Sequence, residues 1–465
     1  MKKLFLQVFG VMMAVVLILT GCASNTSQND TATSQSDTST SQNDTSGDTQ
    51  TSSASQEKNA RQSFKGTKLN ILLKTGYETE AITKFADEFE SETGISLNVE
   101  VYDEPTLRNK FILDCNSKTG NYDVVATQFW YMPEYNQTGW LEPLDDYIAN
   151  KSDEEWNNVS EMPNSVLDMF RGPDGKLYSI CVSSTGGVLI YRKDLFSKHG
   201  IEEPKTTSDV LAAAKILKEK EPEIYPFVGR GDSSSASFGT SAGWAWAYGA
   251  RVMDEQGNVT INTPEMKEAM TDFVELMRNY APADAAAMGW DTMSEIYRQG
   301  KAAMNFDMSG FVSAYSNKEA SSVVGLIDCN VITGLSGNCA QWMYGEGLGI
   351  SSFSKNKDAA WLMLQWRNSL EVLQKEVAND IRFDVTDPRV YETNTFKEKT
   401  KDIGFFTDKL PAIMESIDAK YWPATPLFDK VAEAFQQKIS LAIAGDITVE
   451  EALAQAQTDV EAVLK

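Results

Sequence analysis

The stretch from Lys68 to Tyr102 admits few folds. "KLNILLK" (68–74) is a short apolar run, and "ISLNVEVY" (95–102) alternates strictly, with Ile95, Leu97, Val99 and Val101 on one face, so both read as strands. Between them Ile82, Phe85, Ala86 and Phe89 recur at helical spacing, and Gly94 stands where a helix C-terminus favours glycine. Strand, helix and strand in this order make a β-α-β unit, which commits the chain to parallel pairing under a covering helix. A second helix opening at Pro105 leads to another apolar run, "YDVVA" (122–126), so a mostly parallel sheet builds up in an α/β protein.

Further on, "GPDGKLYSICVSSTGGVLIYRKDLF" (172–196) turns at Pro173-Asp174-Gly175 and then offers two strand-like runs broken at Ser183 to Gly187. A Gly-rich break between strands is a hinge signal. Thr263-Pro264 caps a helix carrying Met266, Met270, Phe273, Val274 and Met277, and the methionines read as core filling. Thr448 with Glu451 forms a capping box for a C-terminal helix that packs Leu453, Ala456, Val460 and Val463. Residues 61–465 are too many for one core, so the body divides into lobes.

Ahead of the body, Met1-Lys2-Lys3 precedes an apolar run from Leu4 to Leu19 and then Thr20-Gly21-Cys22: a basic n-region, an apolar h-region and a small-residue cleavage site. Residues 1–21 are therefore expected to be a signal peptide. Leu-Thr-Gly-Cys resembles the lipobox of bacterial lipoproteins, which implies that Cys22 becomes a lipid anchor at the outer face of the cell membrane. The region 22–65 is dominated by Ser, Thr, Asn, Gln and Asp and cannot bury enough surface to order itself, so it reads as a tether. The 38 residues from 23 to 60, taken as a flexible coil, would reach roughly 30–37 Å.

A formal charge of −24, from 42 Lys and Arg against 66 Asp and Glu, disfavours nucleic-acid binding. Cys329 and Cys339 close a short loop and are the candidate pair for a disulfide; Cys115 and Cys181 are read as buried thiols. "GTSAG" (239–243) fits a nucleophile elbow, but the one histidine, His199, precedes Ser241, whereas that chemistry places it after. The same scarcity disfavours zinc, and no cofactor or metal is expected. A surface glycosidase stays open, because 66 acids supply many carboxylate pairs.

Six stretches in order, "FADEFESETGISLNVEV" (85–101), "YDVVATQFWYMPEYNQTGWLEPLDDYI" (122–148), "LIYRKDLFSKHGIEEPKT" (189–206), "YRQGKAAMNF" (297–306), "SKNKDAAW" (354–361) and "AGDITVEEAL" (444–453), resemble the extracellular solute-binding lipoproteins of ABC importers, in the branch that includes maltose- and other sugar-binding proteins. The resemblance implies a two-lobed periplasmic-binding-protein-like fold with the ligand cleft between lobes. It places lobe I at 66–182 and 344–388 and lobe II at 186–340 and 395–465. It implies a monomer, not an enzyme, that captures a sugar or oligosaccharide and hands it to a membrane permease by hinge closure. A cationic amine held in an aromatic cage is the alternative solute.

Ligands of α/β sheets bind past the strand C-termini. Tyr77, Glu78, Trp130 and Tyr131 follow strand-like runs and are candidate contacts, the latter two on a loop that family members turn to the ligand. Ser184 and Thr185 stand in the hinge segment, and Ser241 and Trp244 follow a Gly/Ser-rich stretch. Trp422, in "YWPATP", resembles the family's late cleft loop, and Asp307 matches a polar family contact. Trp342, Glu346 and Arg382 complete the set, since a pyranose offers an apolar C–H face to a ring and a rim of hydroxyls to polar groups.

Overall fold

A computed structural model of the chain describes residues 60–401 and 409–465, without the side chains of Tyr77 and Glu78. The signal peptide, Cys22 and nearly all of the tether lie outside the described residues, as do the contacts expected of Tyr77 and Glu78. The tether region ends before residue 65. Arg61 is buried, its guanidinium 3.8 Å from the Trp156 ring centroid and bonded to Asp153 at 2.6 and 2.7 Å.

Among the described residues nine strands are numbered in order: β1 (Lys68–Lys74), β2 (Ser96–Tyr102), β3 (Val124–Gln128), β4 (Ile180–Thr185), β5 (Gly187–Arg192), β6 (Tyr225–Val228), β7 (Ala302–Met308), β8 (Ile327–Asn330) and β9 (Tyr344–Ile350). The β-α-β unit forms as the spacing predicts, with Lys68 opposite Ser96 in parallel register and the helix Tyr77–Thr93 between the strands. One sheet runs β2-β1-β3-β9-β4, the other β6-β7-β5-β8. The first is mixed, not mostly parallel, because β9 returns late in the chain and inserts antiparallel between β3 and β4. Strand β2 lies at the sheet edge, which leaves Val101 40% exposed despite the alternation that reads as a buried face.

Only Gly186 separates β4 of the first sheet from β5 of the second, and the chain comes back through 341–343 into β9. These two crossings touch. A Cβ on Gly187 would sit 2.3 Å from the Trp342 backbone nitrogen, so glycine alone permits the approach. The fold is α/β with two lobes and a cleft between them.

Helices cover both sheets. Capping boxes start Thr207–Lys220, through Thr206 and Asp209, and Val449–Val463, through Thr448 and Glu451. Pro264–Tyr280 buries Met266, Met270, Phe273, Val274 and Met277, one apolar stripe against the core.

The Cys329–Cys339 disulfide is absent; all four described cysteines are free. Antiparallel bridging puts Cys339 opposite Thr333. That register leaves Cys329 four positions away along the strand, about 13 Å at a strand's rise and beyond disulfide reach.

Candidate functional site

The strand ends of both sheets enclose a cavity of about 700 Å³. From the first sheet come Lys74 and Thr75 at the end of β1, Trp130 just past β3, Ser183 and Thr185 on β4, and Tyr344 and Glu346 at the start of the antiparallel β9. Opposite them stand Arg230 after β6, Met308 and Phe311 at the end of β7, and the face of the helix Trp290–Arg298. Trp342 lies on the returning crossing, and Trp422, Phe428 and Asp429 precede or open the helix Phe428–Ala444.

Aromatic rings form a seam across the two sides of the cavity. Trp130 and Trp422 stack with centroids 6.0 Å apart at 29°, and Trp422 and Phe428 at 4.8 Å and 25°. Such offset pairs add about 0.5–1.5 kcal/mol each beyond area burial. Trp342 is held on three sides: its Nε1 donates to Thr240 Oγ1 at 2.9 Å, the Arg230 guanidinium lies 4.3 Å from its centroid, and it lies so close to Gly239 that a Cβ there would come within 2.9 Å of the indole.

The cations of the cavity are matched by anions. Lys74 Nζ lies 3.0 Å from Glu346 Oε2 and also reaches the Tyr344 hydroxyl. Arg230 donates from Nε and Nη2 to the two oxygens of Asp307 at 2.8 and 2.7 Å, Arg382 pairs with Asp384 at 3.2 Å, and Arg298 pairs with Glu295. Two lining carboxylates, Glu104 and Asp429, have no ion-pair partner within 4.0 Å among the described residues. They converge instead on one phenol: the Tyr131 hydroxyl lies 3.2 Å from Glu104 Oε1 and 3.2 Å from Asp429 Oδ2. A hydroxyl donates one proton at a time, so the two acids compete for it. Burial pushes the Glu104 carboxyl above its ordinary value, assisted by the Asp429 charge and opposed by Lys74, Tyr131 and Arg108.

Of the residues proposed from sequence, Trp130, Thr185, Trp342, Glu346, Arg382 and Trp422 line the cavity. Tyr131 stands behind it and braces Glu104 and Asp429. Ser184 is fully buried next to the lining and does not reach it. Asp307 is also fully buried and acts on the cavity through Arg230, not by direct contact. Two assignments are corrected. Ser241 lies within the helix Ser235–Trp246 and donates to Gln436 Oε1 at 2.6 Å, and Trp244 is fully buried against Phe273 and Phe306. That helix is buried from Ser237 to Ala245, packed against Pro264–Tyr280 and Phe428–Ala444. The one histidine, His199, pairs with Glu221 at 2.6 Å and so is not the base that a nucleophilic Ser241 would need.

Sequence reasoning missed Lys74, Glu104, Arg230, Trp290, Phe311, Tyr344, Phe428 and Asp429. Arg230 had a signal: it stands two residues past the strand run "YPFV" (225–228), where the strand-end rule applies. Lys74, which ends the run "KLNILLK", and Phe311, three residues past β7, had the same signal, and the others depend on long-range approach.

Residues 75–371 match the model of a family described as bacterial extracellular solute-binding protein. The mannitol-binding protein of Pseudomonas aeruginosa is 26% identical over 289 residues; the match covers 60% of this chain and 64%, under two thirds, of that protein. The erythritol/L-threitol-binding protein of Mycolicibacterium smegmatis is 22% identical over 387 residues, 78% of this chain and 79% of its own length. An ABC-transporter solute-binding protein from Agrobacterium vitis, crystallised with D-mannitol, superposes with a TM-score of 0.71 at 25% identity, over 86% of this chain and 98% of that one. These are binding proteins, not enzymes. With a family match spanning most of the body and a cavity between two α/β lobes, the chain belongs to the bacterial extracellular solute-binding protein family.

Proposed function

We propose that the protein captures a neutral sugar or polyol outside the cell and delivers it to the permease of an ABC importer. The observation that carries this reading is that the cations of the cavity are already paired while aromatic rings line it. Lys74, Arg230, Arg298 and Arg382 are each matched by a carboxylate, so no lining cation calls for an anionic solute, and a ligand meets aromatic faces and hydrogen-bonding groups. The mannitol- and erythritol-binding relatives support the solute class. A cationic amine is the second reading, favoured by the unpaired Glu104 and Asp429. Against a cage, the rings of Trp130, Trp422 and Phe428 pack on one another and leave no gap between them.

In this reading lobe I (66–182 and 344–388) and lobe II (186–340 and 395–465) close about Gly186 and the crossing at 341–343. A ligand shifts that equilibrium only through its higher affinity for the closed form. A thermal-shift screen of sugars, polyols and amines identifies the ligand, and scattering at saturation is expected to give a smaller radius of gyration. A micromolar ligand brings about −8 kcal/mol, enough to outweigh a few kcal/mol favouring the open form. An unchanged radius at saturation would sink the closure mechanism.

We further propose that export and anchoring run through residues 1–21 and a lipidated Cys22. Cys22→Ala is expected to abolish lipid labelling and release the protein from membranes, because the tether carries no large apolar surface. Full retention of that variant in the membrane fraction would refute the anchor.

A further inference from the structure

Three residues of the helix Trp290–Arg298 line the cavity: Trp290, Ser294 and Arg298. Their spacing of four puts them in one stripe, and eight residues of helix rise about 12 Å. The stripe is most open at Trp290, closed at Ser294 and half-buried at Arg298, whose side chain is 29% exposed. Trp290 is 54% exposed, an unusual state for so large an apolar side chain, whereas Ser294 is 6% exposed. Trp290 makes no ring contact among the described residues. At the other end Arg298 is held by Glu295 through Nη2, while its Nε is buried and bonds to no acceptor among the described residues. An exposed ring, a hydroxyl and a half-buried guanidinium in line offer one ring face and two polar partners to a polyhydroxylated solute.

The Trp130–Trp422 seam and Trp342 already supply ring faces elsewhere in the cavity. A volume of about 700 Å³ lies within the ~300–1,000 Å³ of pockets that enclose drug-sized ligands, more than a single six-carbon solute fills. We infer that the helix Trp290–Arg298 is an outer subsite, and that the cognate ligand is an extended saccharide of two or more units whose outer unit lies on Trp290. This rests on the sugar reading above and narrows it: the linear polyols bound by its relatives would occupy the inner cavity alone.

The test is calorimetric titration of the wild type, Trp290→Ala and Trp290→Phe with D-mannitol, D-glucose, maltose, cellobiose, maltotriose and raffinose, with spermidine and choline alongside. The wild type is expected to bind at least one of the di- or trisaccharides at least tenfold more tightly than either single-unit probe. Trp290→Ala should lose that advantage, leave any single-unit affinity within twofold, and keep its melting temperature because the ring is exposed; Trp290→Phe should restore most of the binding. Equal weakening of short and long ligands, no weakening of either, or a single-unit probe as the tightest ligand would each overturn the outer subsite while leaving the sugar reading intact. Binding of the amines alone, or of no saccharide in the panel, would overturn both.

Discussion

Asp307→Ala is expected to destabilise the protein by about 3–5 kcal/mol, the usual cost of removing one member of a buried ion pair and leaving the other charge unmatched. The Arg230 and Asp307 side chains are 3% and 0% exposed and joined by two hydrogen bonds, and the Asp307 Oδ1 also accepts from the Met308 backbone amide at 2.8 Å. Ligand affinity should fall too, because the freed guanidinium no longer holds its place on the face of Trp342. Denaturant unfolding measures the first effect and calorimetric titration the second. Replacing both members, Arg230→Met with Asp307→Leu, separates them. Stability should largely return, since a buried pair exchanged for apolar side chains of similar size is often neutral or better. Binding should not return, since Arg230 itself lines the cavity. A single Asp307→Ala change that leaves stability within about 0.5 kcal/mol would contradict the pairing, because that is the range of an ordinary surface substitution.

The second large effect is expected at Gly243. A Cβ there would fall 1.5 Å from the carbonyl oxygen of Gln341, a backbone atom that cannot rotate away, and the Gln341 amide donates to the Gly243 carbonyl at 3.1 Å. Gly243→Ala must therefore push the helix Ser235–Trp246 off the crossing that carries Trp342. Overpacking of this kind costs about 1–3 kcal/mol or more. Because Trp342 follows Gln341 directly, affinity should fall together with stability. A variant with native melting temperature and native affinity would show that the helix and the crossing do not meet as closely as the structure places them.

Gly243 also shows where sequence reasoning lost its grip. "GTSAG" reads as a loop or a catalytic turn because glycine and serine usually mark chain reversals. Here the small residues let a helix pack against neighbours on every side, so Ser241 and Trp244 belong to the interior. By contrast, the β-α-β unit was legible because its signals are local: an apolar run, a helical period and a second run in sequence. Trp130 was legible for the same reason, standing two residues past β3. The insertion of β9 between β3 and β4 was not, because it pairs residues more than 150 positions apart. Asp307 lay between these cases: its importance could be read, but its partner Arg230, 77 residues away, could not.

The stack of Trp130 on Trp422 has an optical consequence. Trp130 follows a strand of the five-stranded sheet, and Trp422 precedes a helix packed on the other side of the cavity, so their 6.0 Å separation changes whenever the two sides part. Most of the other eight tryptophans are set in environments that such a motion leaves alone, as Trp244, Trp361 and Trp366 are in the core. Near-ultraviolet dichroism, which responds to coupling between adjacent indoles, therefore follows this one pair against a steady background. Mixing experiments on the unlabelled protein would time the parting of the walls directly, with Trp422→Phe as the silent reference.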